Sequence, residues 1–159
     1  LDGVWSPDGV YIALLVPGEP RVEEGQLVGA DYTPGAAVAL NTVVLEADTG
    51  RIVTVAHGET LPGDDQPYEF AWYGGPLPRR PVWSPDGTWL MYWGQDGDPV
   101  LHEMATGNEL LIAQGSGVNP SVTQIVWSPA SRYIALTYAD PHADVPSLAI
   151  IEAPSVNAR

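Results

Sequence analysis

One hairpin pattern occurs three times in this sequence, and it limits the possible folds more than any other feature. Val4-Trp5-Ser6-Pro7-Asp8-Gly9-Val10-Tyr11-Ile12-Ala13-Leu14 returns as Val82-Trp83-Ser84-Pro85-Asp86-Gly87-Thr88-Trp89-Leu90-Met91-Tyr92. It returns again as Val126-Trp127-Ser128-Pro129-Ala130-Ser131-Arg132-Tyr133-Ile134-Ala135-Leu136. In Ser-Pro-Asp-Gly, Pro presets φ at the second turn position, Asp suits the third, and Gly takes a left-handed fourth. The flanking residues are β-formers, so each copy reads as a tight hairpin. In the third copy Ala130-Ser131 replace Asp-Gly, so Ser131 is expected to bear a left-handed backbone at about 1 kcal/mol, unless the turn changes type.

A second echo lies downstream of each hairpin. Val43-Val44-Leu45-Glu46-Ala47-Asp48-Thr49-Gly50 matches Val100-Leu101-His102-Glu103-Met104-Ala105-Thr106-Gly107, and more loosely Ala149 to Ser155. Each reads as a strand and a turn, followed in the first two copies by another strand, Arg51 to Val55 or Glu109 to Ile112. Two hairpins in succession make one four-stranded antiparallel sheet. Trp83 and Trp127 stand 44 positions apart, which suits a propeller blade. The expected fold is all-β, a partial β-propeller of about three blades. Blade 1 covers about 1–56 with an insertion at 17–41, and 57–79 is a connection. Blade 2 covers about 80–113, and an incomplete blade 3 about 121–159.

Trp-Ser-Pro-Asp-Gly followed by a strand that ends in Asp-Thr-Gly resembles the WD40-like repeat of TolB-type β-propellers. It is also similar to the propellers of prolyl-oligopeptidase-type peptidases. The resemblance implies that Trp5, Pro7, Asp8, Gly9, Trp83, Pro85, Asp86, Gly87, Trp127 and Pro129 are structural repeat residues. It implies an envelope or exported bacterial setting. The three tryptophans are expected to pack between neighbouring blades, because large aromatics supply core area. Propellers have about four to eight blades. The chain opens at Leu1 with no initiator Met or signal segment. It is therefore expected to be completed by further blades of a longer parent chain, or by self-association.

Composition excludes several classes. With 20 acidic and 6 basic residues the formal charge is -14, so nucleic-acid binding, which needs clustered cations, is not expected. There is no apolar run long enough for a membrane helix, so no membrane insertion is expected. The absence of Cys removes disulfides and thiolate metal sites. With 17 Gly and 16 Pro, the chain is turn-rich, not helical.

In a meander, turns between first and second strands, and between third and fourth, lie at one end of the sheet. The remaining loops lie at the other end. Both long excursions, Pro17 to Asn41 and His57 to Arg79, are expected at that second end, with the shorter loops 94–99, 114–121 and 139–147. Loops of such length are usually functional or disordered. Twelve of the acids are expected there: Glu19, Glu23, Glu24, Asp31, Glu59, Asp64, Asp65, Glu69, Asp96, Asp98, Asp140 and Asp144. A face so charged favours cations or a basic partner, although charge runs also mark ordinary solvated loops.

Catalytic motifs are missing. Gln114-Gly115-Ser116-Gly117 lacks the spacing of a nucleophile elbow. His57, His102 and His142 are scattered, without the close pairs that zinc needs. His102 replaces Leu45 and Ile151 in its strand and reads as a core or edge residue. No cofactor is expected. Asp96-Gly97-Asp98 and Asp64-Asp65 could supply calcium with hard oxygens, or could simply form turns. Tyr68, Phe70 and Trp72 alternate at the period of a strand, beside Tyr73. They either cover the first two blades or form an aromatic platform.

The leading expectation is a non-catalytic binding module that presents a loop-rich acidic face to a protein or peptide partner, a basic one if charge decides. Its candidate face comprises Asp64, Asp65, Tyr68, Trp72, Tyr73, Asp96, Asp98, Asp140, His142 and Asp144. One alternative is the gating propeller of a serine exopeptidase or oligopeptidase whose hydrolase domain lies outside this chain. The other is a glycan-binding propeller.

Overall fold

A computed structural model describes residues 2–31, 33, 36–58, 60–61, 80–112, 121–139 and 147–154. Among the described residues there are strands and turns and no helix, hence none long and apolar enough to cross a membrane. The first Ser-Pro-Asp-Gly turn joins β1 (Asp2–Trp5) to β2 (Tyr11–Pro17). Next come β3 (Glu19–Glu23) and β4 (Gln26–Asp31), a two-stranded hairpin of their own. The chain returns as β5 (Val38–Glu46) beside β2, then β6 (Ile52–Ala56), giving the order β1-β2-β5-β6. The short β7 (Thr60–Leu61) pairs with Val38 and Ala39 at the start of β5.

The second sheet runs β8 (Val82–Trp83), β9 (Trp89–Trp93), β10 (Pro99–Glu103) and β11 (Glu109–Leu111), each antiparallel to the last. The third has β12 (Ser121–Trp127), β13 (Tyr133–Ala139) and β14 (Ser147–Glu152) among the described residues. These successive meanders, packed face to face, are blades of a partial β-propeller, the architecture expected from the repeat.

The repeated serine explains why the turns hold. Ser6 Oγ donates to Asp8 Oδ1 (2.6 Å) and accepts from the Tyr11 N–H (2.8 Å), while the Val10 N–H donates to Asp8 Oδ1 (3.0 Å). Ser84, Asp86, Thr88 and Trp89 repeat every bond. Gly9 and Gly87 have φ of 73° and 74°, the left-handed values that the turn needs. In the third copy Ser128 Oγ accepts from the N–H groups of Arg132 and Tyr133, and Ser131 takes φ 55° as expected. Its hydroxyl accepts from the Asp86 N–H (3.0 Å). Gly87 lies against Pro7 and Asp8, so the three turns adjoin in succession at one end of the sheets.

Packing between sheets depends on the repeated Trp. Each blade has a trailing face, which carries that Trp and looks back at the sheet before it, and a leading face. Trp83, 8% exposed, and Leu90 lie on Ala13 and Val44 of sheet 1, flanked by Val4 and Tyr11. The Trp83 ring stacks on Tyr11 at 6.3 Å and 16°, and its Nε1 donates to the Val4 carbonyl (3.1 Å). Trp127, 7% exposed, joins Ile125, Ile134 and Leu136 against Trp89, Met91 and Leu101 of sheet 2.

Trp5 departs from the expectation. It is 60% exposed, because no sheet among the described residues stands before the first to receive its trailing face.

The first insertion also differs from a plain loop. Strand β5 already begins at Val38. The β3–β4 hairpin tip reaches the Thr-Gly turn at the opposite end of the sheet. There the Ile52 N–H donates to the Gly25 carbonyl (2.8 Å), Gln26 bridges Arg51, and Gln26 Nε2 donates to the Thr49 carbonyl (3.0 Å). A strand-length hairpin spans the sheet, so its polar backbone finds partners at both ends.

Candidate functional site

The site worth building lies at the loop end of sheets 1 and 2, and one side chain organises it. Asn41 is fully buried within the apolar strand β5. An amide offers a donor and an acceptor together, and both are used. Nδ2 donates to the Gly18 carbonyl (2.8 Å), and Oδ1 accepts from the Gly58 N–H (3.2 Å). Gly18 opens the first excursion with φ 84°, and its N–H donates to the Ala39 carbonyl (2.8 Å). Gly58 stands one residue into the second excursion. The roots of both are therefore tied to a single buried amide.

Gly58 must be glycine for reasons of space. A Cβ there would meet the Leu40 carbonyl oxygen at 1.7 Å and the Trp93 carbonyl oxygen at 3.3 Å. The backbone thus passes between β5 of one sheet and the end of β9 in the next. Beyond Trp93 comes the turn from Gly94 to Asp98. The Gly94 N–H donates to the Asp98 carbonyl (2.9 Å), the Gly97 N–H to the Gly94 carbonyl (3.0 Å), and Gly97 has φ 77°. Asp96 is exposed and Asp98 half-buried on this turn. The Gly-Asp pattern here forms a tight hairpin connection.

Of the predicted face, the structure places Asp96 and Asp98 at this end. Asp64, Asp65, Tyr68, Trp72, Tyr73, Asp140, His142 and Asp144 lie outside the described residues, as do Glu59, Glu69 and Phe70. Glu19 and Asp31 pair in register at the hairpin root, near the Asn41 clamp. Arg21 Nε approaches Asp31 Oδ1 at 3.4 Å with both side chains exposed, a contact of small energetic weight.

Glu23 and Glu24 require a correction. They lie at the hairpin tip beside the Thr-Gly turn, so they belong to the opposite end from the one expected. That end also carries Asp8 and Asp86. The Ser6 hydroxyl and the Val10 N–H hold the Asp8 carboxyl below its usual 3.8. Partial burial works against Asp86, but hydrogen bonds from Ser84 and Thr88 outweigh it and lower its carboxyl too. Negative charge is thus shared between both ends of the sheets.

A polar cluster on the trailing face of sheet 2 is not legible from motif reading. Tyr92 OH donates to Glu109 Oε1 (2.7 Å), and His102 Nδ1 lies 3.3 Å from the same oxygen. Burial, and then the Glu109 carboxylate, push the Tyr92 hydroxyl well above its ordinary 10.0. It therefore stays a donor. His102 is buried, in register with Glu109 across the β10–β11 pair. Read as a core or edge residue, His102 is a core residue with a polar partner. Among the described residues no three His, Cys, Asp or Glu side chains form a metal-holding group.

Sequence reading missed the Asn41 clamp as well. Its signal is a lone amide inside Val38-Ala39-Leu40-Asn41-Thr42-Val43-Val44. The repeated Glu-x-x-Thr-Gly, read from the sequence as a turn, owes its closure to a side-chain bond that the sequence did not reveal. Thr49 Oγ1 donates to Glu46, and Thr106 Oγ1 to Glu103, closing the same turn twice.

Among solved structures, the chain is similar to an oligogalacturonate lyase in complex with manganese, at 15% identity over 97% of this chain and a TM-score of 0.46. It is also similar to a putative TolB from Agrobacterium tumefaciens, at 19% identity over 94% of this chain and a TM-score of 0.43. The chain spans 35% and 57% of the lengths of those two structures. No family model and no curated protein matches it. The blade assignment rests on the sheets themselves.

Proposed function

We propose that the chain is a non-catalytic binding module whose loop end receives a protein or peptide partner. One observation supports this reading above the others: Asn41 ties the roots of both long excursions to one buried point beside the Gly94–Asp98 turn. Long loops on a rigid scaffold are the usual means of recognition. Fixing their roots reduces the ordering cost of binding. Glu19, Asp31, Asp96 and Asp98 lie at this end, and they favour a partner with basic residues.

The test is a selection of random displayed peptides on the immobilised chain, followed by two variant sets. Glu19→Gln with Asp96→Asn alters the loop end. Glu23→Gln with Glu24→Gln alters the opposite end by a comparable charge. The expected result is enrichment of Arg- or Lys-bearing peptides whose affinity falls about tenfold in the first set and is unchanged in the second. Equal losses in both sets, or no enriched peptide, overturn the proposal. Trp72→Ala adds a further reading: lost binding with an unchanged melting temperature makes Trp72 a contact residue, whereas simple destabilisation makes it a packing one.

A further inference from the structure

Four Asp-Gly pairs occur in the sequence, and three of them stand in one and the same kind of turn. Asp2-Gly3 lies within the paired strand β1. In the others the Gly N–H donates to the carbonyl three residues before it: Gly9 to Ser6 (2.9 Å), Gly87 to Ser84 (2.9 Å) and Gly97 to Gly94 (3.0 Å). The three glycines have φ of 73°, 74° and 77°. The main chain is thus the same in each, and what differs is the hold on the aspartate.

Asp8 Oδ1 accepts from the Ser6 hydroxyl and the Val10 N–H, and Asp86 Oδ1 from the Ser84 hydroxyl and the Thr88 N–H. In the 94–98 turn Gly94 stands where the other two have serine, so that hydroxyl is missing. Asp96 is exposed, and its carboxyl accepts no hydrogen bond among the described residues. From this contrast we infer that Asp96-Gly97 is a site of spontaneous isomerisation, where α-linked aspartate converts to the β-linked form, while Asp8-Gly9 and Asp86-Gly87 are spared.

The step begins with attack of the Gly97 nitrogen on Asp96 Cγ. A C–N bond forms, one carboxyl C–O bond breaks, and that oxygen leaves as water with the carboxyl proton and the amide proton. Gly97 has no side chain to crowd the approach. The product is a five-membered succinimide, which water then opens. Opening at Cγ restores aspartate. Opening at the main-chain carbon leaves that carbon as a free carboxyl and puts Cβ and Cγ into the main chain. Water is the sole co-reactant, and the net mass is unchanged.

The form that reacts is the neutral carboxyl, whose oxygen can depart as water. The Asp8 and Asp86 carboxyls lie below their usual 3.8, which disfavours that form. Their hydrogen bonds must also break before Cγ can turn to the glycine nitrogen. Once Asp96 is isomerised, the connection between β9 and β10 has one atom too many for the bond from the Gly94 N–H to the Asp98 carbonyl. The loop end therefore changes shape with age, whatever it binds.

The test incubates the full chain at neutral pH and body temperature for weeks. Samples are cut with an endoproteinase that cleaves before aspartate but not before its β-linked isomer. The fresh chain yields the fragment 86–95, and a chain isomerised at Asp96 yields 86–97 instead. Fragments that run across Asp8 or Asp86 report those sites. The expected rate at Asp96 is at least about tenfold that at Asp8 or Asp86, the factor that one charge-assisted hydrogen bond is worth. In guanidinium chloride, where the turns are lost, the three rates converge. Gly94→Ser supplies the missing hydroxyl and slows Asp96 about tenfold. Should that variant unfold, Ser6→Ala makes the opposite test and raises the rate at Asp8 toward that at Asp96. Asp96→Asn closes the same ring with loss of ammonia, so binding assays on it use fresh protein. An Asp96 that converts no faster than Asp8 and Asp86 in the folded chain overturns the inference. A folded Gly94→Ser chain that converts at the wild-type rate does so too. Rates that stay apart in guanidinium chloride also overturn it, since the difference then lies in the neighbouring sequence and not in the fold.

Discussion

The two junctions inside this chain use the same repeated tryptophan in different ways. Between sheets 1 and 2, Trp83 is fixed by direction, with a stacked Tyr11 and a bonded indole N–H. Between sheets 2 and 3, Trp127 is held by area. It belongs to the larger cluster, with Trp89, Met91, Leu101, Ile125, Ile134 and Leu136, while its own N–H lacks a partner among the described residues. An unbonded buried donor costs about 1–3 kcal/mol, so the second junction must offset that loss with apolar contact. A repeat can therefore conserve its shape while exchanging polar anchoring for packing.

The coarsest test of this contrast removes each ring. Trp83→Ala and Trp127→Ala should each cost about 3–5 kcal/mol, read as a shift of the denaturant midpoint. A loss below about 1 kcal/mol for either would show that its junction does not hold the sheets together. A finer test keeps the ring. Trp83→Phe should be more costly than Trp127→Phe by about 1 kcal/mol, because only the first breaks a made hydrogen bond. Equal costs would erase the distinction.

The smallest effect concerns the turns that lie beside these junctions. Ala130→Asp gives the third turn the carboxylate that Asp8 and Asp86 supply to the others, and should stabilise by under about 1 kcal/mol. The native carboxyls are held below 3.8 when folded. A lowered folded value means that stabilisation is present above 3.8 and is lost as pH falls through it. The variant's gain should vanish over that same acid range. A gain that persists in acid would point to backbone preference instead.

The three copies of Val-Trp-Ser-Pro made the sheets, their order and the left-handed Ser131 legible, because turn chemistry is local and each residue acts on its immediate neighbours. Burial of Trp83 and Trp127 was legible because the repeat itself supplies each of them with a preceding sheet to pack on. Exposure of Trp5 was not, since burial depends on what stands opposite, and periodicity carries no information about that. The course of the first excursion was hidden too. Glu23 and Glu24 belong to a stretch that reads as a loop. The bond from Ile52 to the Gly25 carbonyl, with the contacts of Gln26 to Arg51 and Thr49, shows that it crosses the sheet. Asn41 was passed over because one amide in an apolar strand has no motif. Its meaning comes from Gly18 and Gly58, which are distant in sequence and meet only after folding.

The β3–β4 hairpin has a practical consequence. Because the Asn41 amide secures its root and the Gly25 carbonyl its tip, it behaves as a strap fastened at two buckles. Foreign segments grafted between those fastenings, at exposed Val22 or Val28, should be displayed in a fixed orientation. Lengthening the stretch past Gly25 would instead unfasten it and leave the Ile52 N–H, at the start of β6, without its acceptor.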